Sequence, residues 1–256
     1  MAQWEQLLKQ AERHLEEGRP GDALQLCDRA CFAGDDALYQ SALMRGRILL
    51  EIGDTSGALS CFDSIASLET KDAEVDCARG TALFELAQFP EAQSALQSAI
   101  REDPNLADAH YLLGLIAEFV GSGEEGRWFR EAYRIDPERF SPSPQLTNDE
   151  FSEVIEEAVS GMDESFQQAL EQIPIVVAEL PLVNELKHLE PVISPLSLAM
   201  VVGTIVDGYV DETVEPVLFL FKRNIERAFR DREGMISATR IAIQTHFSEA
   251  LGVDVL

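Results

Sequence analysis

The chain has 256 residues, 46% of them hydrophobic, and a formal charge of −26 from 46 Asp and Glu against 20 Lys and Arg. That length and apolar content suit two modest domains with cores of their own. The charge excludes nucleic acid and anionic membrane, whose phosphates such a surface repels, and points to neutral or basic partners.

Met1-Ala-Gln-Trp-Glu opens directly into an amphipathic pattern, without the basic start and apolar core of a signal peptide, so the expected location is cytoplasmic. A repeat follows. Gly18, Gly53, Ala87 and Gly121 stand at offsets of 35, 34 and 34 residues, and Ala23, Ala58 and Ala92 keep the same pace. The pattern is clearest from Ala78-Arg-Gly-Thr-Ala-Leu-Phe-Glu-Leu-Ala-Gln-Phe-Pro-Glu-Ala to Ala95-Leu-Gln-Ser-Ala-Ile-Arg-Glu-Asp-Pro104. Small residues at Gly80 and Ala92 admit two closely packed antiparallel helices, and the Asp-Pro pair ends the second. This unit resembles the tetratricopeptide repeat. Gly46, Leu49, Gly53, Ala58 and Phe62 repeat it before, and Gly114, Gly121, Phe129, Ala132 and Pro137 after, with a turn one residue shorter. The first unit is the weakest, with Ala11, Cys27 and the turn Gly18-Arg-Pro-Gly-Asp-Ala23.

The resemblance implies an α-helical solenoid of about four hairpins over residues 1–140, with a concave face made by the first helix of each pair. Leu8, Glu12, Gln40, Leu43, Arg47, Glu74, Thr81, Phe84, Asp108, Tyr111, Leu115 and Glu118 fall on that face. Some members of the repeat family clamp a peptide's terminal carboxylate there with lysines and asparagines. Arg47 is the lone cation among these positions, so the expected ligand is a protein or peptide segment, basic or amphipathic, anchored on Phe84 and Tyr111. Cys27, Cys31, Cys61 and Cys77 occupy small-residue helix positions without metal spacing and read as buried, reduced thiols.

Prolines and serines over residues 141–148 mark a linker, at whose end Thr147 forms a capping-box pattern with Glu150. In the second domain, 149–256, Phe151, Val154, Ile155, Ala158, Val159 and Met162 make one apolar stripe. Asp149, Glu150, Glu153, Glu156 and Glu157 read as its solvated back. The basic cluster Lys222, Arg223, Arg227, Arg230 and Arg232 either meets this acidic face within the fold or leaves it to recruit a basic partner. Residues 180–195 read as proline-punctuated loop, and the apolar stretch 192–206 is too short and interrupted for a membrane span.

From Leu146 onward the chain resembles the small bacterial zincin-like metallopeptidase family. The resemblance rests on the opening acidic helix, the strand-like Ile173-Pro-Ile-Val-Val-Ala-Glu179, Val202-Gly-Thr-Ile-Val-Asp-Gly208, and Val217-Leu-Phe-Leu-Phe221 with the basic turn Lys222–Arg227. It implies a small α+β zincin-like domain after the solenoid. The terminal stretch, Glu233 to Asp254, reads as a helix capped by Ser237 and stopped at Gly252. Aligning Gly252 with the glycine of the family's H-E-x-x-H-x-x-G motif puts Thr245, His246 and Glu249 where the first His, the Glu and the second His belong. Two imidazoles one turn apart would hold zinc and a carboxylate would take the proton of its water. Neither ligand position carries an imidazole. The leading expectation is therefore a degenerate pseudoenzyme with no cofactor. The alternative is an active zinc peptidase with a displaced site using His246, Glu249 and Asp254.

Overall fold

A computed structural model describes residues 2–66, 72–171, 173–186, 192–203 and 216–251, in two compact units, Met1–Ser141 and Pro142–Leu256. The first unit holds α1 (Gln3–Glu16), α2 (Pro20–Ala30), α3 (Asp35–Glu51), α4 (Thr55–Ala66), α5 (Ala73–Glu85), α6 (Phe89–Glu102), α7 (Ala107–Phe119) and α8 (Glu125–Ile135). They pair in order as four hairpins. Each second helix also packs on the first helix of the next hairpin, and α1, α3, α5 and α7 neighbour one another in a row.

The repeat period has a packing cause. A Cβ built on Gly80 would lie 2.6 Å from Leu96 Cγ, one on Gly114 2.6 Å from Phe129 Cδ1, and one on Gly46 would overlap the Phe62 ring. In each hairpin a large side chain of the second helix therefore fills the place of the missing side chain on the first. The first hairpin carries Ala11 and Cys27 at these positions, both buried in its core. There a methyl group faces a smaller partner, which accounts for the weak pattern.

The turns share a second cause. Gly18, Gly53 and Gly121 have φ of 70°, 83° and 65°, and Ala87 adopts φ 54° at the same place in its repeat. This left-handed residue lets the chain reverse while the last carbonyls of the helix stay bonded, as in Arg19 N–H to His14 O at 2.8 Å and Gln88 N–H to Leu83 O at 2.8 Å. Period-spaced ion pairs join successive hairpins, Arg45 with Asp28 and Arg79 with Asp63. Tyr39 donates to Asp72 at 2.5 Å, and Asp72 also caps α5 by accepting from Glu74 N–H. Burial, together with that carboxylate, pushes the Tyr39 phenol well above its ordinary pKa.

The four cysteines are free, but only Cys27 is fully buried, and Cys31, Cys61 and Cys77 are half-buried. The outer positions of these short helices shield less than a uniform buried reading implies. Burial raises the Cys27 and Cys77 thiols to about 12, which keeps both protonated and unreactive at neutral pH.

The second unit runs α9 (Asn148–Ser160), α10 (Glu164–Leu170), β1 (Ile175–Ala178), α11 (Val183–Leu186), β2 (Ala199–Val202), β3 (Val217–Phe221), α12 (Lys222–Ala228) and α13 (Arg232–Leu251). The strands form one sheet in the order β1-β3-β2. β1 is parallel to β3 with Ile175 opposite Leu218, and β2 is antiparallel with Ala199 opposite Leu220. β2 lies inside the apolar stretch that the sequence left without an element. Phe151, Val154, Phe166, Leu218, Ile225, Ile243 and Phe247 join in one core between the helices and the sheet.

One local expectation holds here and another changes. The capping box at Thr147 and Glu150 forms, with Thr147 N–H donating to Glu150 Oε2 at 2.7 Å. Just before it, Leu146 packs against the second core and its N–H donates to Glu226 at 2.8 Å. The last helix starts at Arg232, with Asp231 accepting from Gly234 N–H at 2.7 Å, so Ser237 lies inside the helix and caps nothing. Of the basic cluster, Arg232 meets the acidic face within this unit. Arg232 reaches Glu157 at 2.6 Å and Glu153 at 3.2 Å, while Arg240 Nε donates to Ala158 O near the end of α9 at 3.1 Å. These contacts hold α13 along α9.

Candidate protein-binding groove

The first helices of the first two hairpins leave a groove of about 300 Å³ between them. Leu8, Glu12, Gln40, Leu43 and Arg47, all assigned to the concave face by the repeat period, line it together with Trp4, Glu5, Lys9 and Met44. Trp4, Leu8 and Glu12 stand four residues apart on α1, as do Gln40 and Met44 on α3, so each set shares one helix side. That spacing was legible for Trp4 and Met44, although the sequence reading did not use it.

The groove is apolar at its base and charged at its rim. Leu8 and Leu43 are buried, Trp4 and Met44 are half-buried, and Glu12, Gln40 and Arg47 are exposed. Arg47 is paired with Glu74 of the next hairpin, which offsets its charge on this face. The first unit as a whole carries 13 Lys and Arg against 26 Asp and Glu, so the field around the groove is acidic.

The remaining assigned positions divide. Phe84 and Leu115 have no exposed surface, which removes both as partner contacts, and Leu43, at 4%, contributes only to the groove's floor. Phe84 sits at the end of α5, where the turn brings Phe89 over it. Its ring lies 5.4 Å from Phe89 and 6.1 Å from Phe119, inside an aromatic cluster. Thr81 is half-buried and donates to Cys77 O at 2.9 Å. Asp108 and Tyr111 lie against the chain's own Arg139 and Phe140, and Glu118 is half-buried on the same helix. The sequence reading missed Arg139 and Phe140 because they follow the last helix, outside the repeat pattern.

In the second unit Thr245 is exposed, His246 is half-buried and Phe247 is buried, its ring 4.7 Å from Phe166. Glu249 belongs to α13, but its side chain lies outside the described residues, as do His188, Gly252 and Asp254. Among the described residues no group of three or more His, Cys, Asp and Glu is placed to hold a metal ion, and no helix is long and apolar enough to cross a membrane.

The stretch β3–α12 carries a buried polar cluster unrelated to the metal motif. Glu226, 1% exposed on its side chain, accepts from Leu146 N–H at 2.8 Å and from Arg223 at 2.7 Å. Asn224 donates to Pro195 O and Ser197 O, both at 2.8 Å, and buried Lys222 donates to Asn148 at 3.2 Å. One short helix thus ties together the arm before α9, the strand approach and the start of α9. This is a structural use of polar groups, each paired because burial leaves no water to replace the partner.

A family model described as a tetratricopeptide repeat matches residues 77–139. No curated protein matches the chain. Among solved structures, MamA of Desulfovibrio magneticus RS-1 is 27% identical, the alignment covering 54% of this chain and 78% of that one at a TM-score of 0.45. A thermophilic repeat protein of Thermus thermophilus is 19% identical, with 52% and 75% covered at a TM-score of 0.46.

Proposed function

We propose that the tetratricopeptide-repeat array of the first unit is a protein-interaction module that receives a basic or amphipathic segment of a partner protein. The observation that carries this reading is the groove between α1 and α3, with apolar side chains at its base and polar ones at its rim within an acidic unit. Apolar anchors supply affinity in such a groove, and the surrounding field selects and orients the segment. Glu12→Lys combined with Gln40→Arg adds three positive charges to the rim at two exposed positions, so the fold is expected to persist. Capture of the partner by the full chain should weaken at least about tenfold. Unchanged capture would move the interaction off this groove. Phe84→Ala is unsuited to this test, since removing a buried aromatic costs about 3–5 kcal/mol of stability.

For the second unit we propose a catalytically degenerate relative of the zincin-like metallopeptidases that keeps the scaffold and lacks the chemistry. The support is the residue set of α13. Threonine replaces the first imidazole of the motif, and His246 stands at the position of the base beside Phe247, which belongs to the core. Restoring the motif with Thr245→His, His246→Glu and Glu249→His supplies two imidazoles at i and i+4. The triple variant is expected to retain about one zinc per chain after chelator-free purification and the parent none. Stoichiometric zinc in the parent, lost in His246→Ala, would instead establish a displaced metal site.

A further inference from the structure

After α8 the chain turns back over the start of α7. Asp136 holds the turn, its carboxylate accepting from Arg139 N–H at 3.1 Å and its carbonyl from Phe140 N–H at 3.1 Å. Two consecutive side chains are thereby delivered onto one helix side. The Arg139 guanidinium forks onto Asp108, Nη2 to Oδ1 at 2.7 Å and Nη1 to Oδ2 at 3.0 Å. The Phe140 ring lies 4.9 Å from Tyr111, which lies 5.5 Å from Phe129, and the guanidinium sits 4.9 Å from the Phe140 ring. Asp108 and Tyr111 are three residues apart on α7, so carboxylate and ring present themselves side by side. Together they match a guanidinium followed by an aromatic ring, in the planar two-bond geometry that arginine supplies and lysine does not.

The ion pair holds its arginine only lightly. The side chains of Arg139 and Asp108 keep 61% and 50% of their surface exposed, and an ion pair this wet contributes little to stability. We propose that Asp108 and Tyr111 form a subsite for an arginine followed by an aromatic residue, filled in cis by Arg139 and Phe140. A partner segment of the same composition displaces the chain's own residues. This deepens the reading of the array as a protein-interaction module and rests on it. A tethered occupant competes at an effective concentration in the millimolar range, so the subsite admits only segments that gain further contacts along the array.

The test uses the full chain and a fluorescent synthetic copy of residues 136–141 as probe. Arg139→Ala with Phe140→Ala empties the subsite, and the probe should bind this variant at least about tenfold more tightly than the parent. Adding Asp108→Asn should remove that gain, and exchanging the probe's arginine for lysine should remove most of it. Arg139→Ala alone leaves the ring stack in place and should still give a gain of about threefold, which covers the case in which the double variant loosens the end of the array. Equal binding by parent and variants, no binding by either variant, or a gain that survives Asp108→Asn would overturn the proposal. Failure of the probe while Glu12 and Gln40 variants still lose the partner would refute the subsite and spare the module. Retention of the partner by those variants would refute the groove instead.

Discussion

Replacing Glu226 by alanine is expected to destabilise the second unit by about 3 kcal/mol, the range for removing one partner of a buried charge pair. The carboxylate is almost fully buried between the Leu146 amide and the Arg223 guanidinium. Its loss strips the acceptor from the backbone arm that leads into α9 and removes the buried carboxylate that Arg223 pairs with. With a urea m-value of about 2 kcal/mol/M, the denaturation midpoint of this unit should fall by about 1.5 M, while the helical signal of the repeat array stays in place. Glu226→Gln keeps an oxygen for the amide and gives up the charge, so its cost should be about half as large. A shift below about 0.3 M for the alanine variant would mean that the arm is not held by this contact.

The second large effect concerns the pairing of absent and bulky side chains in the repeats. Gly46→Ala pushes a methyl group into the Phe62 ring and should cost about 2 kcal/mol by overpacking. Phe62→Cys empties a site with no exposed surface and should cost about 3 kcal/mol. The double variant recreates the Ala11 and Cys27 pair of the first hairpin. It should cost about as much as Phe62→Cys alone, roughly 2 kcal/mol less than the sum, because the added methyl then faces space instead of a ring. Denaturant unfolding of the four proteins measures the coupling. Strict additivity would show that ring and glycine do not share one site.

The array was legible because its constraints are local and recur. A left-handed turn residue and a small residue opposite a large one leave marks at a fixed period, and Gly46, Gly80 and Gly114 with Phe62, Leu96 and Phe129 are those marks. Face assignment from spacing put Gln40 and Arg47, in the middle of a helix, on the side that lines the groove, and their contact with a partner stays a proposal. It failed at Phe84, near a helix end, because the following turn, and not the helix itself, decides what covers that position. Leu115 failed for a related reason: an inner helix flanked on several sides buries residues that an amphipathic reading places outside. In the second unit β2 was hidden, since four residues in a mixed apolar run carry no alternation. The cluster around Glu226 was hidden too. Partners 80 positions apart in sequence, such as Leu146 and Glu226, are brought together only by the sheet and the helices packed on it.

The array's role is tested most directly by placing a photocrosslinking amino acid at Gln40, in the groove, and separately at Gln93, an exposed position on α6, in the full chain. The groove reading predicts that one partner protein is captured from Gln40 and not from Gln93. It also predicts that the crosslinked fragment of that partner contains an arginine or lysine next to a large apolar residue. Capture of the same partner from Gln93 and not from Gln40 would contradict it.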